Sequence, residues 1–180
     1  NSYEISFYEY SAESGLRNSR NCEYSYTTGY LSSGPNNTVD LKLDTYLDCP
    51  GGAWLDGMVF EFPEDISPLI NSWYITVGNV CSYGENSGQN CENIEGSLDG
   101  NTLTFGENSN GGGFGAFESN NSIIVNLNSW FDMSDPNSFE PFGIDYVIWD
   151  DGYDGTINNG EGTAIIDQFL LFNEGALVMR

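Results

Sequence analysis

Histidine is absent from this 180-residue chain and cations nearly so: Arg17, Arg20, Lys42 and Arg180 stand against 27 Asp and Glu, a formal net charge of −23 at pH 7. Without imidazole the commonest general base is missing, so catalytic triads built on histidine and zinc sites that need it are excluded. Without a basic patch, phosphate backbones and anionic lipid heads are repelled, so no nucleic-acid or membrane-surface partner is expected. Cations are the natural counterpart. Salt screening, with a Debye length of roughly 8 Å, or bound divalent ions would relieve the self-repulsion.

Long apolar runs are also missing. No stretch reaches about 18 apolar residues, so no membrane-spanning helix is expected, and the first residues show no basic-then-apolar leader, as in a mature or excised product. Cysteine is sparse, and Cys22, Cys49, Cys81 and Cys91 show no CxxC spacing, which argues against a thiolate metal site. Their even number, in Asn-rich and Gly-rich surroundings, suits disulfides formed outside the cytosol. Of the three connectivities, Cys22 with Cys49 and Cys81 with Cys91 pair neighbours in sequence and are the expected ones. The second would close the loop SYGENSGQN.

Helical periodicity is scarce as well. The one candidate, DISPLINSW from Asp65, is broken by Pro68 and reads as a loop with a single turn. There is no internal repeat, Pro-rich linker or charge block, so residues 1–180 read as a single domain.

What is present is strand-forming sequence. Val39–Leu47, Gly57–Phe62, Tyr74–Val80, Ser122–Leu127, Ile144–Trp149 and Thr163–Phe172 are short runs rich in β-branched and aromatic residues. SSGPNN, CPGG, GENSGQN and NSNGGG separate them, and LDGN joins EGSL to TLTF as a compact hairpin signal. About ten strands at this spacing predict an all-β fold, an antiparallel sandwich of jelly-roll type stabilised by disulfides.

Between the last two runs lies DDGYDGTINNGEG. With Asp150 as position 1, Asp154 falls at 5, Gly155 at 6, Thr156 at 7, Asn158 at 9 and Glu161 at 12, close to the twelve-residue calcium loop. In that reading Asp150 and Asp154 give single oxygens, Thr156 a carbonyl, Asn158 a further ligand and Glu161 a bidentate carboxylate. Gly152 at position 3 removes one ligand, and the flanks are strands rather than helices. The alternative is a hairpin connection whose Gly and Asp serve turn conformations. A calcium ion held here would be structural and weakly bound, with a dissociation constant on the order of 10⁻⁴ to 10⁻³ M.

Aromatic residues make up 14% of the chain, enough to supply both a core and a ligand surface. Tyr146 and Trp149 belong to a strand and are assigned to the sheet interior, whereas Trp54 and Trp130 sit at loop–strand junctions and are the candidates for stacking on sugar rings. For catalysis only carboxylates remain. Glu61 and Asp145 are acids within apolar strands, and a glycoside hydrolase would need two such groups about 5 to 9 Å apart. GGGFGAFES, residues 111–119, reads as a bulge or turn, because a phosphate cradle would need a following helix and a basic residue.

Taken together, YLDCPGGAWLDGMVFEFP, NCENIEGSLDGNTLTFG, GGGFGAFES and IWDDGYDGTINNGEGTA resemble the secreted, disulfide-bearing β-sandwich domains of Bacteroidota cell-surface and type IX secretion cargo proteins, over about residues 40–166. That resemblance implies a secreted or cell-surface, non-catalytic module of an adhesin, surface layer or fibre, and it transfers no site residues. Its partners would be neighbouring copies, other surface proteins or extracellular polysaccharide. The apolar segments YEISFYEYS and ALVMR suggest assembly by β-strand complementation. A carbohydrate-binding module is the alternative and a carboxylate-based hydrolase the third reading.

Overall fold

Strict alternation in TVDLKLDTY turns Val39, Leu41, Leu43 and Thr45 to one side, each at most 3% exposed, and Asp40, Lys42, Asp44 and Tyr46 to the other. Residues 26–33, 102–106 and 159–166 alternate in the same way. The computed structural model of the chain describes residues 22, 24–49, 55–79, 95–106, 117–132, 134–150 and 158–166. Its strands are β1 (Tyr26–Ser33), β2 (Thr38–Tyr46), β3 (Gly57–Glu61), β4 (Ile70–Asn79), β5 (Ser97–Asp99), β6 (Thr102–Gly106), β7 (Phe117–Asn128), β8 (Phe142–Asp150) and β9 (Asn158–Ile166). They form two antiparallel sheets, β1-β2-β7-β4 and β5-β6-β3-β8-β9. The fold is an antiparallel β-sandwich.

Between the sheets lie the fully buried Leu31, Leu41, Leu43, Met58, Phe60, Leu103, Phe105, Ile123, Val125 and Ile148. A second group, Trp130, Phe131, Phe139 and Phe142, packs at one end in edge-to-face and tilted pairs, with centroids 5.1 to 6.4 Å apart. A disulfide joins Cys22 to Cys49 at the other end, both 4% exposed. The paired cysteines agree with the sequence expectation; Cys81 and Cys91 lie outside the described residues.

The two sheets close together along one side, where β1 runs beside β9. Glycine permits that approach. A Cβ on Gly29 would sit 2.1 Å from Ile166 Cδ1, and one on Gly160 would sit 2.3 Å from Ser25 Cβ. This explains two departures from the sequence reading. YTTGYLSS, which contains Gly29, is a strand, and NNGEG is the first half of β9 rather than loop, paired with Tyr146–Asp150. Its glycines look like turn residues but answer to packing: a Cβ on Gly162 would meet the Tyr146 hydroxyl at 2.7 Å.

DISPLINSW is the third departure. Its Pro68 lies in a 3-10 turn, Ser67–Leu69, as expected, but Ile70–Trp73 already belong to β4. The LDGN hairpin is as read: Asp99 pairs with Thr102, and Gly100 takes φ +60° at the first central position of the turn.

Candidate functional site

Each sheet presents one outer face, and the two differ in chemistry. On the five-stranded sheet, the register aligns Asp99, Thr102, Glu61, Asp145 and Thr163 in one row, with Ser97, Thr104, Val59, Val147 and Glu161 in the next. That face holds carboxylates, threonines and valines, and beyond them Trp149, which the sequence placed in the interior but which lies buried over Gly57 on this outer side. Glu61 and Asp145, the two acids singled out from sequence, are direct cross-strand partners. Opposed residues of an antiparallel pair have Cβ atoms roughly 4.5 to 5.5 Å apart, so like charges there are destabilising. Asn101 donates to Glu61 Oε1 at 3.3 Å and Thr163 to Asp145 Oδ1 at 2.5 Å. Both acids are exposed on an open sheet surface.

The outer face of the four-stranded sheet is aromatic and amide-rich. Tyr30, Lys42, Ile124 and Tyr74 form one row across all four strands. At about 4.8 Å per strand the row spans roughly 14 Å. Tyr26 and Tyr46 pair two rows further along the same face, beyond Thr28 and Asp44, with ring centroids 5.6 Å apart. Tyr26 is 50% and Tyr74 54% exposed, which leaves their rings open to a partner.

Polar rows flank the aromatic one. On one side Asp40 and Asn126 are paired; Asn126 Nδ2 donates to Asp40 Oδ1 at 2.6 Å and to Thr38 Oγ1 at 3.0 Å, while its carbonyl accepts from Asn71 at 3.1 Å. On the other, Asp44 accepts from Ser122 Oγ at 2.5 Å and from Lys42 Nζ at 2.9 Å. Lys42 is the one lysine or arginine among the described residues, and Asp44 neutralises it. These bonds fix side-chain orientation, so the face is ordered before any ligand arrives.

A groove of about 580 Å³ runs beside β4, lined by Asn71, Ser72, Trp73, Tyr74, Ile75, Glu95 and Gly96. The Trp73 indole turns toward the core and donates to the Glu95 carbonyl at 3.1 Å, tying β4 to the chain that enters β5.

The calcium spacing is not brought into one cluster. Asp150 and Asn158 pair at the end of the β8–β9 ladder, and Asp150 is 3% exposed on the core-facing side with Ile148 and Tyr146. Glu161 pairs with Val147, three rungs or roughly 10 Å along. It points to the outer face. Asp154 and Thr156 lie outside the described residues, and no group of three or more acids, cysteines or histidines that could hold a metal occurs among the described ones. Any rise in melting temperature on adding calcium is therefore expected to survive Glu161→Gln; its loss in that variant would contradict the register.

Of the proposed sugar-stacking tryptophans, Trp54 lies outside the described residues. Trp130 is a packing residue, partly buried within the Phe131, Phe139 and Phe142 cluster. A junction position did not make it a platform, because three phenylalanines converge there. The exposed tyrosines take that place, and sequence reasoning missed them because they are spread over β1, β2 and β4.

Inside the sandwich, Thr27, Thr45 and Asn121 form a buried polar row on the four-stranded sheet. Thr45 Oγ1 reaches Met58 Sδ at 3.7 Å, but Thr27 Oγ1 and both amide atoms of Asn121 lack protein partners. Leaving such groups unpaired costs about 1–3 kcal/mol each. Asn121→Val, β-branched and without polar atoms, is expected to raise stability by about 1–2 kcal/mol in denaturant titration. A loss of stability would mean that the amide is satisfied in solution.

Burial raises the pKa of Tyr146 above the ordinary 10.0, against a backbone hydrogen bond from Thr27 that lowers it. Below pH 10 the phenol is neutral folded and unfolded. As pH climbs past that value the unfolded chain ionises first, so stability is lost until the folded group ionises too. Tyr146→Phe should flatten part of this alkaline fall in melting temperature.

No protein-family profile matches the chain, and no curated protein matches it. Solved structures of β-rich surface proteins do. The collagen-binding subdomain of the Enterococcus faecalis surface protein ACE aligns at TM-score 0.44 and 12% identity, over 80% of this chain and 96% of its own. The collagen-binding domain of a Staphylococcus aureus adhesin aligns at 0.41 and 12%, over 80% and 97%. BcpA, the major pilin subunit of Bacillus cereus, aligns at 0.36 and 11%, over 80% of this chain and 40% of its own. Likeness at this level transfers neither ligand nor role.

Proposed function

We propose that this chain is an extracellular, non-catalytic adhesive or structural module, and that it engages its partner through the outer face of β1-β2-β7-β4. One observation carries this reading: Tyr26, Tyr30, Tyr46 and Tyr74 stand on one ordered sheet face among Asn, Ser, Thr and Asp side chains. Tyrosine offers large contact area at low entropic cost, and Ser and Asn supply adaptable hydrogen bonds, the composition of surfaces built to bind. The Cys22–Cys49 disulfide supports an oxidising, extracellular setting, and the charge of −23 a soluble surface module. No helix among the described residues is long and apolar enough to cross a membrane.

Partners of this kind are other surface proteins, neighbouring copies of the chain, or extracellular polysaccharide. Carbohydrate binding is the second reading, favoured by the exposed ring of Tyr74 one row from the Asp40–Asn126 pair, which suits stacking plus hydroxyl recognition. The experiment is a solid-phase binding screen against extracellular polypeptides, collagen among them, and neutral polysaccharides. Wild type is compared with Tyr30→Ala/Tyr46→Ala. Binding that is unchanged in the double variant contradicts the reading.

A further inference from the structure

We infer that the edge of β4, the last strand of its sheet among the described residues, is a second docking site, taking an extended, Lys- or Arg-bearing polypeptide strand in the groove between Ser72–Ile75 and Glu95–Gly96. β4 ends the order of its sheet among the described residues, so one row of its backbone N–H and C=O groups faces away from β7. Such a row recognises one kind of occupant, because only another extended backbone repeats donor and acceptor at the same interval. That disfavours a glycan here, and the site adjoins the tyrosine face only at Tyr74.

The edge is shaped to accept a short strand and no more. Register shifts at Ile70/Ser72 and Ile75/Val77 leave Ser72–Ile75 as the regular window between two irregularities. Bulges of this kind break up a long edge and prevent indiscriminate pairing. A window of four residues is roughly 13 Å long. The groove beside it, about 580 Å³, falls in the roughly 300–1,000 Å³ range of ligand sites. Its far wall is held in place by the Trp73-to-Glu95 hydrogen bond.

Charge decides which strand. Glu95 is exposed on the groove wall, no lysine or arginine lines the groove, and the chain as a whole carries −23. A second copy would bring the same charge and be repelled, whereas a strand with a Lys or Arg opposite Glu95 is drawn in. Alternate side chains of the bound strand would meet Tyr74, 54% exposed, on the outer side and Trp73 on the inner.

The test is selection of phage-displayed random peptides on the immobilised full chain, followed by synthesis of the enriched sequences. Expected are peptides carrying Lys or Arg whose affinity falls about ten-fold or more on Glu95→Lys, an exposed substitution checked by an unchanged melting curve. N-methylation of alternate peptide amides should abolish binding in one phase and spare it in the other. Three results overturn the proposal: no enrichment, enriched peptides indifferent to Glu95→Lys and to both methylation phases, or binding lost in Tyr30→Ala/Tyr46→Ala instead. The last would place the peptide on the tyrosine face and leave the adhesive reading standing.

Discussion

Replacing both Cys22 and Cys49 with alanine is expected to remove about 3.5 kcal/mol of stability, from loop-closure entropy over a sequence separation of 27. The bond ties the segment that precedes β1 to the one that follows β2, and both sulfurs are buried in the core cluster. The penalty therefore combines a looser unfolded chain with lost packing. For a domain of this size the melting temperature should drop by about 10 °C. Mutation isolates this bond, where a reductant would act on every disulfide at once. An unchanged melt would show that the two ends of the β1–β2 hairpin are held by the sheet alone.

Phe60→Ala should cost more, about 3–5 kcal/mol. Phe60 is fully buried on β3, which is itself flanked by β6 and β8, and its ring meets Phe105 edge-on at 6.4 Å. Truncation leaves a cavity between two sheets that cannot collapse without breaking ladders on both sides of β3. The chemical-denaturation midpoint reads this directly. A cost below about 1 kcal/mol would mean that the sheets slide together to fill the space, contrary to a close-packed interior.

Sequence and structure agree where a strand is buried on one face and polar on the other. TVDLKLDTY and SIIVNL show their alternation plainly, and those positions form the core. Disagreement falls where glycine serves packing rather than turning. Gly29, Gly160 and Gly162 let β1, β9 and Tyr146 crowd together, and that need is invisible until the two sheets are face to face. Long-range register was equally hidden. Tyr30, Lys42, Ile124 and Tyr74 are scattered from position 30 to position 124, and only the order β1-β2-β7-β4 sets them in one row. The Glu61–Asp145 juxtaposition was half legible, as two acids in apolar strands; their exposure on an outer face was not. The Asp150–Glu161 spacing counts residues and ignores pairing, and pairing sends these two carboxylates to opposite faces of the ladder, while Asp154 and Thr156 lie outside the described residues.

The assignment of partner binding to the tyrosine face is tested most directly by one pair of isotherms. Tyr30→Ala/Tyr46→Ala and Glu61→Gln/Asp145→Asn are titrated against the strongest ligand from the binding screen, each beside wild type and each checked for an unchanged fold. The first alters the aromatic face, the second the acidic face of the other sheet. Two interface tyrosines at more than 1 kcal/mol each predict a loss on the order of 30-fold for the first variant and none for the second. Full affinity in the tyrosine variant, with a loss in the carboxylate variant, would place the partner on the opposite side of the sandwich and contradict the account.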